Sequence, residues 1–346
     1  MIRAGIVGAT GLVGQYLVRV LLGHPEVRLT MLCSDHAAGQ RLDEACPGFK
    51  GEVSATLVAP EIEALCRETD IVFMAKKGPE AMKMAPPLVE ASVKAVDMGG
   101  AFRFPDAATY ETWYKEEHLC PGLLKDAVYG LPETHREEIR GAEIIGNPGC
   151  YPTGAILPLA PLLAQKAIRT EGIIIDSYSG LSGAGATYSA ASRNLFVEAN
   201  ENCRAYSVTT HRHTPEIEQE LSRAAGTPVK VVFVPHLIPL DRGLLTNAFA
   251  TLSGDYSAQD LLEMAREYYR GEPFVRFFED VPRVEVLHVA RTNYCDIGYA
   301  VERRTRQVIA VSAIDNVIKG SVGLAVQSMN IRFGLDETLG LKHRTM

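Results

Sequence analysis

Apolar positions along the first 150 residues fall into two alternating patterns. Short continuous runs at Ile2–Val7, Val27–Cys33, Val53–Val58, Ile71–Ala75, Val93–Asp97 and Glu143–Ile145 predict strands. Between them, Leu12–Leu22, Glu61–Arg67 and Pro79–Ala91 carry apolar residues at helical spacing. Strands alternating with helices in this way predict βαβ units on a parallel sheet. The later chain reads differently. Ile173–Ser177, Val229–Val234, Thr246–Leu252, Val284–Val289, Asp296–Val301 and Gln307–Ala313 are strand-like and often follow one another with no helix between. Helices are expected at Thr153–Ala164, Pro215–Ala225 and Ala258–Tyr269. That is the pattern of an α+β domain with a larger antiparallel or mixed sheet. Asn316–Arg332 returns to helical spacing and is expected to pack back on the first domain.

Turn residues cluster at Gly146-Asn147-Pro148-Gly149, which marks the expected boundary. The expected division is a first domain of residues 1–147 with 315–346, and a second domain of residues 148–314.

Composition narrows the class. The chain has 346 residues, of which 47% are hydrophobic and 22% charged, so it can bury two ordinary cores without staples. The net charge of −7 argues against a non-specific nucleic-acid or anionic-membrane binder, which needs a basic surface. No apolar run approaches the roughly 18 residues of a membrane span. The N-terminus enters a strand-like run at once, which leads us to expect no signal peptide and a cytoplasmic protein. The seven cysteines are odd in number, scattered and without a zinc-like spacing. They are expected to be free thiols in a reducing compartment, six of them core residues, and no metal site is expected.

Three segments carry chemistry. Gly8-Ala9-Thr10-Gly11-Leu12-Val13-Gly14 follows the first strand and opens a helix. Glycines there let the backbone approach a pyrophosphate, whose charge the helix N-terminus attracts. Asp35, shortly after the second strand, would accept from a ribose 2′-hydroxyl and favour NAD. Ser34 and Arg41 beside it would instead suit a 2′-phosphate, and both readings stay open. Cys150 stands in Asn147-Pro148-Gly149-Cys150-Tyr151-Pro152-Thr153, with turn residues before it and a helix after it. A thiol at a helix N-terminus is activated as thiolate, and the N–H groups there can hold an oxyanion. His211-Arg212-His213-Thr214-Pro215-Glu216 is a dense polar cluster with Thr214 as the expected N-cap, Pro215 in the first turn and Glu216 able to orient an imidazole. Arg103, just after a strand of the first domain, suits bidentate binding of a phosphate.

These segments together resemble the N-acetyl-γ-glutamyl-phosphate reductases of arginine biosynthesis. The resemblance covers nearly the whole chain. It includes Gly8–Gly14, Ala101–Arg103, Tyr129–Glu133, Asn147–Thr153, Ser179–Gly185, His211–Ile217, Phe233–Leu237 and Asp315–Gly320. It implies an α/β fold, with a Rossmann-type NAD(P)-binding domain and an α+β catalytic and dimerisation domain like those of semialdehyde and glyceraldehyde-3-phosphate dehydrogenases. It implies NADP(H)-dependent reduction of an acyl phosphate to an aldehyde through a thioester on Cys150. His213 would handle the protons and Glu216 would orient it, although His211 and His213 are interchangeable in these roles. Arg103, His211, Asn147 and Ser182 would bind substrate. Gly8, Thr10, Gly11, Leu12, Val13, Gly14, Ser34, Arg41, Gly183 and Asn316 would bind cofactor. A homodimer or homotetramer through the second domain's sheet is implied.

The chain also departs from the family pattern. Asp35 stands where many relatives carry arginine, Lys76-Lys77-Gly78 replaces Pro-His-Gly, Tyr178 replaces a frequent lysine, and Pro158 replaces a small residue. A related substrate, such as aminoadipyl or aspartyl phosphate, and a non-catalytic NAD(P) sensor are the alternatives.

Overall fold

The computed structural model describes residues 1–184 and 195–342. They form two compact units, Met1–Pro148 with 321–342, and Gly149–Gly320.

The first unit begins β1 (Ile2–Val7), α1 (Leu12–Leu22), β2 (Val27–Cys33), α2 (Leu42–Ala45), α3 (Ile62–Glu68), β3 (Ile71–Met74), α4 (Gly78–Glu90) and β4 (Lys94–Asp97). It continues with α5 (Ala107–Tyr114), β5 (Ala127–Tyr129), α6 (Pro132–Gly141) and β6 (Ile144–Gly146). All six strands pair in parallel in the order β2-β1-β3-β4-β6-β5. The inner strands are apolar on both faces, as a sheet covered by helices requires: β3 is buried at all four positions. The expected strand Val53–Val58 does not form. Only the single bridges Cys33↔Val58 and Arg41↔Thr56 occur there. Leu57 is its one buried residue, so the segment lacks the apolar face that would hold it on the sheet edge.

The second unit contains α7 (Cys150–Ala164), β7 (Ile173–Ser179), α8 (Leu195–Ala199), β8 (Arg204–Ala205), α9 (Thr214–Ala225), β9 (Val231–Leu237) and β10 (Leu244–Thr251). Then follow α10 (Ala258–Tyr268), β11 (Val275–Phe278), α11 (Val286–Val289), β12 (Cys295–Glu302) and β13 (Gln307–Ile314). The mixed sheet runs β11-β12-β13-β10-β7-β9-β8. The expected strand at Val284–Val289 is instead a helical turn. β11, which the sequence pattern did not reveal, takes the place beside β12. Val284 and Val289 then pack on Val311 and Ala313. α7 packs on β10 and β13, and is buried on every side from Tyr151 to Leu163.

α7 holds two internal prolines, Pro158 and Pro161. Pro158 cannot donate to the carbonyl of Gly154, four residues earlier. The Ser312 hydroxyl on β13 donates to that carbonyl at 2.5 Å instead, and the Tyr299 hydroxyl on β12 donates to the Pro158 carbonyl at 2.8 Å. The helix therefore continues through the proline without an orphaned acceptor at Gly154.

The C-terminal helix α12 (Gly323–Arg332) follows a π turn at Ile318–Val322 and packs on α6 in the first unit. Ser328 Oγ donates to the Gly130 carbonyl there at 3.2 Å. No helix of the described residues is long and apolar enough to cross a membrane.

Candidate active site

Cys150 is the first residue of α7, with Gly149 as N-cap, so its half-buried thiol stands at the positive end of the helix. Gly149 has φ −74° and ψ 157°, a conformation open to any residue. Its smallness serves packing. A Cβ there would lie 2.4 Å from His213 Nε2, so the imidazole rests directly on the residue preceding the thiol. Gly320 does the same from another side, where a Cβ would lie 2.6 Å from Cys150 Cβ. Glu216 is fully buried and accepts the Gly149 N–H at 2.8 Å. One turn of α9 thus fixes the loop that presents the thiol.

The cap of α9 is His213, not Thr214. His213 has helical-region φ and ψ and makes no side-chain cap, while Thr214 donates its N–H to the His211 carbonyl at 2.9 Å. The His213 N–H donates to His211 Nδ1 at 3.2 Å, and the two rings meet edge to face at 4.7 Å. Burial, with the Arg212 charge adding to it, pushes the His211 imidazole down to about 4. His211 is therefore neutral near pH 7, and because Nδ1 accepts, its proton is on Nε2. This separates two histidines that the sequence leaves interchangeable. Tyr151 lines the same place, edge-on to His211 at 5.5 Å, with its hydroxyl donating to the His236 carbonyl at 3.0 Å.

Ser182, Gly183 and Asn316 also come together. Asn316 Nδ2 donates to Ser182 Oγ at 3.0 Å, and its Oδ1 accepts the Gly243 N–H at 2.6 Å. A Cβ on Gly183 would lie 3.1 Å from Asn316 Nδ2. Gly185, the last residue of the Ser179–Gly185 motif, lies outside the described residues.

In the first unit Gly8, at φ +88°, takes a left-handed turn that favours glycine. Its Cβ would lie 2.5 Å from the Ala75 carbonyl, and one on Gly14 would lie 2.1 Å from the Gly8 carbonyl. Gly11 is the N-cap of α1, whose first residues are Leu12 and Val13, and no side chain caps its N–H groups. No acidic residue occupies its first turn. A close-approach glycine turn ending in uncapped N–H groups fits a dinucleotide pyrophosphate. Thr10 Oγ1 and Ser34 Oγ are hydrogen-bonded at 2.9 Å. The Arg41 guanidinium is engaged twice by Asp43, at 2.9 and 2.8 Å.

Arg103 is 7% exposed and donates from Nε to the Asn147 carbonyl at 2.6 Å. Asn147 itself donates to the Ser321 carbonyl at 3.1 Å. Asp97, which sequence reasoning missed, shapes the Arg103 turn. Its buried carboxylate accepts from the N–H groups of Gly99 at 2.8 Å, Gly100 at 3.0 Å and Phe102 at 3.0 Å. The signal for it was an acid closing a strand, with one residue between it and Gly99-Gly100.

The other thiols are less uniform than expected. Cys33, Cys46 and Cys295 are buried and Cys66 and Cys120 half-buried, but Cys203, in the exposed segment after α8, is exposed rather than a core residue. Burial pushes the Cys33 thiol up to about 12 and Cys120 up to about 11, which leaves both inert. Among the described residues no group of three or more His, Cys, Asp and Glu side chains is arranged to hold a metal.

Residues 3–142 match the semialdehyde dehydrogenase NAD-binding domain, and residues 150–316 match the semialdehyde dehydrogenase dimerisation domain. The fold is also that of an aspartate semialdehyde dehydrogenase II from Vibrio cholerae, with a TM-score of 0.73 at 20% identity over 96% of this chain and 98% of that one. These likenesses define the class, a two-domain semialdehyde dehydrogenase. Proteins named N-acetyl-gamma-glutamyl-phosphate reductase are much nearer in sequence. The one from Pelotomaculum thermopropionicum is 47% identical over 98% of this chain and 97% of its own length. The one from Citrifermentans bemidjiense is 46% identical over 99% and 98%. The chain belongs to the N-acetyl-γ-glutamyl-phosphate reductase family.

Proposed function

We propose that the protein reduces N-acetyl-L-glutamyl 5-phosphate to N-acetyl-L-glutamate 5-semialdehyde and phosphate in arginine biosynthesis, with NADPH as reductant. The observation that carries this reading is the placing of His213 on Gly149, against the first residue of the helix that bears the Cys150 thiol. Cys150 Sγ attacks the acyl carbonyl, phosphate leaves, and a thioester forms. Covalent capture divides one difficult step into two easier ones. NADPH, when bound, supplies the hydride that reduces the thioester. His213 takes the thiol proton at Nε2 and gives it to the departing phosphate, and the thiohemiacetal oxyanion left by hydride transfer collapses to the aldehyde and the thiolate. His211, neutral and with its proton on Nε2, is a hydrogen-bond donor to substrate rather than the acid–base group. Glu216 acts by holding Gly149. Arg103 is the candidate phosphate ligand, its turn fixed by Asp97, while Asn147, Ser182, Gly183 and Asn316 complete the proposed binding residues. The Gly8–Gly14 turn would hold the pyrophosphate.

The outer face of the second unit's sheet supports self-association. Ile174 and Val232 on it are 45% and 58% exposed, apolar side chains that a partner sheet would cover. We propose a homodimer or homotetramer, working in the reducing cytoplasm that seven free thiols suit.

The test runs the reaction backwards. N-acetylglutamate semialdehyde, phosphate and NADP are expected to yield NADPH, read by absorbance, and Cys150→Ala is expected to abolish it. An alanine variant that keeps the activity of the parent overturns the mechanism. A higher kcat/KM for aspartate or aminoadipate semialdehyde overturns the substrate.

A further inference from the structure

The ends of β2 and β3 hold an arrangement that the Gly8–Gly14 turn does not explain. Both strands flank β1, and each is followed two residues later by a charged side chain, Asp35 and Lys76. Lys76 Nζ donates to Asp35 Oδ2 and also reaches Glu80 Oε1 at 3.4 Å. The pair therefore bridges the carboxyl end of β1, from which the glycine turn springs. Lys76 is not a loosely placed surface lysine. Its side chain is only 13% exposed. The chain on either side is pinned: Ala75 donates to the Val7 carbonyl at 2.9 Å, and the Lys76 carbonyl stands 2.2 Å from where a Gly99 Cβ would be. The bond from Lys76 holds the Asp35 carboxyl below the usual carboxylate range.

At the same strand end two hydroxyls, Thr10 and Ser34, bond one another and have one proton left to donate. Arg41, the other nearby cation in sequence, has its guanidinium spread over Asp43. An uncompensated Asp35 would repel a 2′-phosphate and welcome a ribose diol. With its charge matched by Lys76, that repulsion is cancelled, and the ammonium has a third N–H to offer.

We propose that Lys76 is the residue that selects the cofactor's adenosine 2′-phosphate, by neutralising Asp35 and donating to the phosphate beside the Thr10 and Ser34 hydroxyls. This rests on the NADPH reading above and assigns the discrimination to one side chain. Glu80 opposes it, so the selectivity is a balance of charges and weakens as salt rises.

The test measures binding of two small probes, adenosine 2′,5′-bisphosphate and 5′-AMP, by calorimetry on the full-length protein, independently of turnover. In Lys76→Met, which keeps the length of the stem, affinity for the bisphosphate is expected to fall by about tenfold, the worth of one partly exposed charge-assisted contact, with 5′-AMP unchanged or tighter. Asp35→Asn is expected to tighten the bisphosphate severalfold, and Lys76→Arg to keep the parent's preference. Equal weakening of both probes in Lys76→Met, or no change in their ratio, overturns the proposal. A parent protein that binds 5′-AMP more tightly than the bisphosphate overturns the NADPH reading alone. The ratio in Lys76→Met would still report whether Lys76 governs the choice.

Discussion

Acidification should expose the cost of burying His211. The imidazole has an ordinary pKa of 6.5 and is pushed down to about 4 in the folded protein, chiefly by burial and further by Arg212. Between those values the unfolded chain takes a proton that the folded one refuses. Stability from this residue is thus full above about pH 6.5 and is lost progressively as the pH falls toward 4. A displacement of about 2.5 units corresponds to about 3 kcal/mol once both forms are protonated, and to about 2 kcal/mol at pH 5. His211→Asn is the informative comparison, since the asparagine amide oxygen can replace Nδ1 as acceptor for the His213 N–H while removing the titration. Urea unfolding of parent and variant at about pH 7.5 and pH 5, followed by fluorescence, gives the difference. The parent is expected to lose about 2 kcal/mol more than the variant over that interval. Parallel losses in the two proteins would refute the assignment of His211 as a buried neutral ring.

Two further substitutions probe the site. Gly149→Ala places a methyl group 2.4 Å from His213 Nε2 without straining the backbone, so steady-state kinetics should show kcat reduced by about a hundredfold with a stability loss of only about 1–3 kcal/mol. A variant with parental kcat would mean that His213 does not need its place on Gly149. Asp97→Ala strands three backbone N–H groups, and denaturant unfolding should show a loss of about 3 kcal/mol, whereas a loss below about 1 kcal/mol would show that water replaces the carboxylate freely.

Much of the architecture was legible because periodicity reports burial. Ile2–Val7, Leu12–Leu22 and Val27–Cys33 appear at the expected residues because a parallel sheet covered by helices makes its strands continuously apolar. The failures came where burial was set by non-local neighbours. Val53–Val58 and Val284–Val289 carry β-branched residues, but the first has no apolar face to offer beyond Leu57, and the second finds the place beside β12 taken by β11. β11, at Val275–Phe278, is a short parallel edge strand whose pairing with β12 no local pattern encodes. At the site, the thiol and the histidine segment stand out by residue type and turn chemistry. The neutral state of His211 does not, because burial and a single hydrogen bond decide it. Asp97 went unnoticed and Lys76 stood out only as a departure from the family pattern, because each is one charged residue at or just after a strand end, and only its three-dimensional partners distinguish it.

The prolines of α7 have a consequence for the order in which the molecule matures. A helix with an unmatched carbonyl at Gly154 is weak until Ser312 arrives, and Ser312 lies 158 residues further along the chain. On the ribosome, the element that presents Cys150 is thus made early but completed late, after β13 has been synthesised and paired. The helix that begins at Cys150 thus depends on a strand that the ribosome delivers nearly half the chain later.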